Sequence, residues 1–288
     1  MPGILLRVLI IYVIVVLLAY IFQNRLIYLP HRTDLGQLKQ AAHFNGLKLW
    51  PREDTDYRGL IPDNSPSAAE GTVIVFHGNA GAAIDRQYYI PPLQKQGFRV
   101  ILTEYPGYGA RGGKPSEAAL VADARENVRM AFQEFGGPVY LWGESLGCGV
   151  TSALAADSAP KISGIILLTP WNTLPATAQS HYWFLPALWL VRDRFDNIRS
   201  LQKYSGPVAV LMAEKDEVIP NRLTRSLYES IRSAKRLWTF PDAGHNSWPV
   251  SRELSWWVEV MDFISAKNPF PDQPEQKAGG TCGQAVIR

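Results

Sequence analysis

Three observations predict an α/β fold in which helices cover both faces of a mostly parallel, twisted sheet. Short β-branched apolar runs such as TVIVF, RVILTEY and PVAVLMAE recur along the chain. Stretches with apolar residues at helical spacing alternate with them, and loops rich in Gly and Pro separate the two kinds of segment. Strands this apolar are buried on both faces, which is the signature of parallel pairing under helical layers. With 288 residues, 47% hydrophobic and 19% charged, the chain is long enough to bury one large domain. Its 29 basic and 26 acidic residues are scattered, which argues against a nucleic-acid partner.

The first element is GILLRVLIIYVIVVLLAYIF, from Gly3 to Phe22, broken only by Arg7. That is about the length of helix that spans a hydrocarbon core. A cleaved signal peptide is the competing reading. Arg7 lies within the apolar stretch and no small-x-small cleavage site follows Leu18, so an uncleaved single-pass anchor over residues 1–25 is favoured. Tyr12, Tyr20 and Tyr28 suit the membrane interfaces, while Arg7 on one side and Arg25, Arg32 and Lys39 on the other leave the orientation unset.

The domain is placed at residues 26–266. GLKLWP and TDYRGLIP read as short edge strands, and TVIVF, RVILTEY, PVYLWG, KISGIILLT, PVAVLMAE and AKRLWTF as the strands that follow. Ser116 to Phe135 reads as a helix stopped by Gly136 and Gly137, and a final helix is expected near Trp248 to Ile264. Between these strands, an insertion over about 171–206 contains HYWFLPALWLV and reads as a cap, either packed on the sheet or lying as an apolar lid over the substrate. The polar stretch 267–288 reads as a disordered tail.

Gly143-Glu144-Ser145-Leu146-Gly147 matches G-x-S-x-G, a pattern that is weak alone. Here an apolar strand precedes it and a helix follows, the setting in which glycines allow a strained turn that exposes the serine hydroxyl. The alternative is an ordinary helix-capping serine. A hydroxyl needs a base to take its proton and an acid to orient that base, in the chain order Ser, acid, His at the ends of later strands. His245 in DAGHN and Asp216 in AEKDEVIP meet that order. Glu214 is too close to its strand, Glu217 is expected on the far side of the turn, and Asp242 is too near His245. The loop HGNAG is placed to give the Asn79 N–H as one oxyanion donor, with the Leu146 N–H as the other. His77 reads as structural, and Cys148 as buried packing. Cys148 and Cys282 form no disulfide framework, and without a CxxC pair or a His/Cys/carboxylate cluster neither a metal nor a cofactor is expected.

HGNAG, EYPGYGARGGKPSE, GESLG, AEKDEVIP and DAGHN, in this order, resemble the α/β-hydrolase superfamily, and more narrowly its membrane-anchored Bem-like branch, over roughly residues 26–265. The resemblance implies the α/β-hydrolase fold, Ser145, Asp216 and His245 as a triad, and Asn79 and Leu146 as oxyanion donors. Glu104 stands where relatives often carry Asp, and the insertion is unusually aromatic. The expected activity is cleavage of acyl esters or thioesters through an acyl-serine, on lipid-like substrates at a membrane. A peptidase or amidase on the same triad and a catalytically silent tethered interaction protein are the alternatives.

Overall fold

The computed structural model describes residues 2–54, 56–66, 68–155, 157, 161–265 and 276–277. The principal strands are β1 (Leu47–Trp50), β2 (Gly59–Pro62), β3 (Thr72–Phe76), β4 (Arg99–Thr103), β5 (Val139–Glu144), β6 (Gly164–Leu168), β7 (Val208–Ala213) and β8 (Lys235–Phe240). They lie in the spatial order β1-β2-β4-β3-β5-β6-β7-β8. The β1–β2 and β2–β4 pairs are antiparallel, and every pair from β4 to β8 is parallel. Each residue of β3, β4, β6 and β7 is buried, which is why their sequences are near-continuous apolar runs rather than alternating ones. The expected tail lies outside the described residues except for Gln276–Lys277, which pair in parallel with β8.

The helices are α1 (Pro2–Ile27), α2 (Leu35–Phe44), α3 (Ile90–Lys95), α4 (Glu117–Phe135), α5 (Leu146–Ala155), α6 (Leu174–His181), α7 (Ala187–Leu190), α8 (Asn197–Leu201), α9 (Asn221–Ser230) and α10 (Trp256–Ile264). One apolar layer joins one sheet face to Leu120 and Val128 of α4, Val150 and Leu154 of α5, and Leu223 and Leu227 of α9. The opposite layer holds Leu38 of α2, Leu93 of α3, and Trp257 and Val260 of α10. For α4, the Ser116 side chain accepts from the Ala119 N–H at the start, and Gly136 closes the end at φ 74°.

Several elements differ from the sequence expectation. The last helix begins at Trp256 rather than near Trp248. The preceding loop folds back under it, and the carbonyls of Pro249 and Ser251 accept the indole N–H groups of Trp256 and Trp257. Helices α2 and α9 went unread because each buries only two or three side chains, Leu38 and Ala42 in one and Leu223, Thr224 and Leu227 in the other. The insertion folds as the three short helices α6, α7 and α8, with Pro186 at the start of α7. Tyr28 does not face a membrane interface: it is buried, and its hydroxyl donates to Asp193 Oδ2 at 2.6 Å.

Helix α1 is long and apolar enough to cross a membrane over Gly3–Ile27, a property shared by anchors and signal sequences. One face touches the insertion. Along it, Tyr12 donates to the Phe184 carbonyl at 2.9 Å, Val16 and Ala19 are half-covered, and the buried Gln23 accepts from the Arg192 N–H at 2.7 Å. The spacing of these four is that of one helix face.

Trp142 of β5 is fully buried among Tyr89, Trp256 and Trp257, with its ring 5.3 Å from that of Trp257. Trp142→Ala leaves a large void and is expected to lower unfolding stability by about 3–5 kcal/mol, measured by urea denaturation, with Trp142→Phe costing clearly less.

Candidate active site

Strand β5 runs directly into α5 through Ser145, whose φ of 49° lies in the left-handed region. A non-glycine residue held there costs on the order of 1–3 kcal/mol, so the flanks must enforce the turn. They do so by close packing. A Cβ on Gly147 would be driven into the Phe76 carbonyl oxygen, and one on Gly143 would meet Gly147 O at 2.6 Å. The Ser145 N–H donates to Leu168 O and its carbonyl accepts from the Cys148 N–H, each at 2.9 Å. The helix entry is thereby pinned to β6, and the hydroxyl stands proud of the turn.

His245 sits in the loop after β8, its Nε2 3.0 Å from Ser145 Oγ. Asp216 sits in the loop after β7, and its Oδ2 lies 2.9 Å from His245 Nδ1. The carboxylate has further work in its own loop, where Oδ1 accepts from the Val218 N–H at 2.9 Å and the Ile219 N–H at 2.7 Å. Both side chains are almost wholly buried, 8% exposed for His245 and 2% for Asp216, so water competes little for the contact. The structure thus brings together the three side chains proposed as a triad. With Nδ1 donating to the acid, Nε2 is left as the acceptor facing the hydroxyl.

Gly78 packs against the serine, so that a Cβ there would lie 3.7 Å from Ser145 Cβ. Asn79 follows it, and α5 begins at Leu146. Neither the Asn79 N–H nor the Leu146 N–H donates to an acceptor among the described residues. Asn79 is held by its other groups: its carbonyl accepts from the Leu29 N–H at 3.0 Å and the Tyr108 hydroxyl at 2.8 Å, and its Nδ2 donates to Ile27 O at 3.2 Å. His77 points away from this chemistry. It is buried, with Nε2 3.1 Å from Glu104 Oε1, and Glu104 Oε2 accepts from the Ala83 N–H at 3.1 Å. The longer Glu104 therefore ties β3, β4 and the 3₁₀ turn Ala83–Tyr89 together.

Two features were missed by the sequence reading. Glu217 is not on the far side of its turn: its Oε2 accepts the His245 backbone N–H at 3.0 Å and so steadies the imidazole loop. Glu144, beside the serine, accepts from Arg86 Nε at 2.9 Å, the Tyr88 hydroxyl at 3.0 Å and the Tyr89 hydroxyl at 3.2 Å. Burial works against its charge, but the Arg86 guanidinium and these donors outweigh it and hold the carboxyl below the usual range. The partners come from a turn far away in sequence, so no local pattern announced them. Cys148 is buried, its Sγ 3.2 Å from the Gly143 and Leu168 carbonyls, and burial pushes its thiol pKa well up, which removes it as a nucleophile. Among the described residues no group of three His, Cys, Asp or Glu side chains is arranged to hold a metal ion.

A family model described as alpha/beta hydrolase fold matches residues 71–202. An uncharacterized protein of Mycobacterium tuberculosis is 29% identical over 231 residues, covering 78% of this chain and 80% of its own. Lysophosphatidylserine lipase ABHD12 of Danio rerio is 30% identical over 194 residues, covering 61% of this chain and 51% of its own, so the chain spans about half the length of that relative. Among solved structures, an esterase from Pyrococcus furiosus superposes with a TM-score of 0.58 at 15% identity, over 83% of this chain and 98% of that one, a likeness of fold. These matches carry the superfamily and not the narrower Bem-like branch.

Glu144→Gln strands the Arg86 guanidinium and is expected to cost on the order of 2–4 kcal/mol of stability at neutral pH. A carboxyl held below its unfolded value stabilises fully above that value and loses the contribution as pH falls through its folded one. The gap between wild type and variant in urea midpoint therefore narrows on acidification.

Proposed function

The chain belongs to the α/β-hydrolase superfamily, and from that premise we propose a membrane-held serine hydrolase that cleaves carboxylic esters of single-chain, lipid-like molecules through an acyl-serine intermediate. One observation carries the mechanism: a single imidazole lies 3.0 Å from the Ser145 hydroxyl and 2.9 Å from the Asp216 carboxylate. Ser145 Oγ attacks the ester carbonyl while His245 Nε2 takes its proton. The charge left on the carbonyl oxygen is met by the N–H groups of Asn79 and Leu146, which have no acceptor within the described chain. The tetrahedral intermediate then collapses as His245 passes the proton to the departing alkoxide, leaving acyl-Ser145 and a free alcohol. Water, deprotonated by the same imidazole, attacks the acyl group, and a fatty acid departs as Ser145 regains its proton. Asp216 holds Nδ1–H throughout and stabilises the imidazolium that forms twice per turnover.

The substrate class rests on the apolar helix α1, the aromatic cap lying along it, and the resemblance to a lysophosphatidylserine lipase. A lysophospholipid fits this reading because it pairs one ester-linked acyl chain with a headgroup that stays at the membrane surface.

A fluorophosphonate probe is expected to label the wild type and not Ser145→Ala, and labelling that survives the substitution overturns the nucleophile. Asp216→Asn is expected to lower kcat by on the order of 10³- to 10⁴-fold with little change in KM, read from steady-state hydrolysis of a p-nitrophenyl ester. Across a p-nitrophenyl acyl series, kcat/KM is expected to rise with chain length. A flat series, or faster cleavage of acyl amides than of matched esters, overturns the lipid-ester reading.

A further inference from the structure

The segment Tyr182–Leu190 in the cap combines two properties that conflict in water. Its large side chains face outward: Trp183 is 80% and Trp189 82% exposed, with Phe184 and Leu188 also open. Its backbone carbonyls from Tyr182 to Leu188, however, are paired inside the protein, while among the described residues the N–H groups of Trp183 and Phe184 and the Trp189 carbonyl have no partner. The two N–H groups of Gln179 Nε2 are shared among the carbonyls of Tyr182, Trp183 and Leu185, at 3.3, 3.4 and 2.9 Å, the first also accepting from the Leu185 N–H and the last from the Ala187 N–H, while Gln179 Oε1 accepts from the Leu188 N–H at 3.3 Å. The Tyr12 hydroxyl takes the Phe184 carbonyl and Arg194 Nη1 the Leu188 carbonyl, at 2.9 and 2.8 Å. Pro186 O accepts from the N–H groups of Trp189 and Leu190, and Ala187 O from that of Val191. Every carbonyl from Tyr182 to Leu188 thus has a donor inside the protein, although the segment lies at the surface.

In water such pairing is unnecessary, because solvent satisfies exposed carbonyls. In hydrocarbon it is strongly favoured, since each unpaired backbone group there costs several kcal/mol. The position of the segment points the same way. Its contacts to α1 run from Tyr12 to Gln23, which accounts for about 16 Å of helix at 1.5 Å per residue. A helix that crosses a hydrocarbon core of about 30 Å cannot keep so long a contact stretch wholly in water. Beyond the aromatic residues stand Arg192 and Arg194, and Arg192 lies over the Tyr20 ring with its Nη2 donating to Asn24 Oδ1. Basic side chains at that level suit lipid phosphates.

We propose that Tyr182–Leu190 is immersed in the leaflet that α1 enters, with Trp183, Phe184, Leu188 and Trp189 among the acyl chains. The cap is then a second membrane contact beside the anchor. Helix α6, which leads into the segment, is tied to the acid loop where His181 Nε2 lies 2.7 Å from the Val218 carbonyl. The immersed segment therefore adjoins the site from the lipid side, where a single-chain ester would arrive by lateral diffusion. This inference rests on α1 acting as an anchor.

The full chain is reconstituted in phosphatidylcholine vesicles whose acyl chains carry bromine, a contact quencher of indole fluorescence. The other seven tryptophans are buried in the protein, so quenching is expected in the wild type and expected to vanish in the Trp183→Ser/Trp189→Ser double variant while both proteins float with the vesicles. A chain that floats but shows no quenching specific to these two tryptophans refutes the immersion and leaves the anchor intact. A chain that does not float refutes the anchor and this proposal together. Loss of a dimer in the double variant, without such quenching, assigns the surface to a second copy and also overturns the proposal.

Discussion

The strand-to-helix turn at Ser145 is the constraint around which the rest is arranged. It holds a serine in a left-handed conformation, at a cost that only close packing of β5 and α5 against β3 sustains. That closeness demands glycine on either side, since a side chain at Gly147 would strike the Phe76 carbonyl. The parallel sheet then delivers everything else, because strands running the same way end at the same edge, where the loops after β3, β7 and β8 meet the turn.

Electrostatically the turn is gripped from both ends of its motif. Glu144 is fastened to the 3₁₀ turn Ala83–Tyr89 through Arg86 and two tyrosine hydroxyls, while His245 is fixed by Asp216 at its ring and by Glu217 at its backbone. Three carboxylates thus stand around the site with different partners. Only Asp216 reaches the imidazole ring. The others are consumed in positioning loops, which explains why a site crowded with acids has one that orients the ring.

The sheet was legible because its central strands are buried on both faces, leaving uninterrupted runs such as TVIVF and GIILL. The order of GESLG, AEKDEVIP and DAGHN was legible for a related reason: each motif begins where a strand ends, so strand boundaries located Ser145, Asp216 and His245 without any knowledge of their distances. What stayed hidden depends on pairs remote in sequence. The grip of Arg86 on Glu144, the hydrogen bond from the His245 backbone to Glu217, and the contact of α1 with the cap have no periodicity that announces them. Tyr12, Val16, Ala19 and Gln23 do lie on one helix face, yet within so apolar a run that stripe looks like any other lipid-facing residue. Helix α9 escaped because its polar surface outweighs its three buried residues.

The chain just past α1 is stitched to the loop of Asn79, one of the two proposed oxyanion donors. Leu29–Pro30 pair in parallel with Ala80–Gly81, the Leu29 N–H holds the Asn79 carbonyl, and Asn79 Nδ2 holds Ile27 O. Shortening the protein from its amino end therefore does more than remove an apolar helix. Cutting past Ile27 deprives Asn79 of its side-chain acceptor, and cutting past Leu29 takes a donor from its carbonyl as well, which leaves the Tyr108 hydroxyl as the remaining brace on that carbonyl. The end of the long apolar helix and the backbone of Asn79, the proposed oxyanion donor, are parts of one hydrogen-bonded strip.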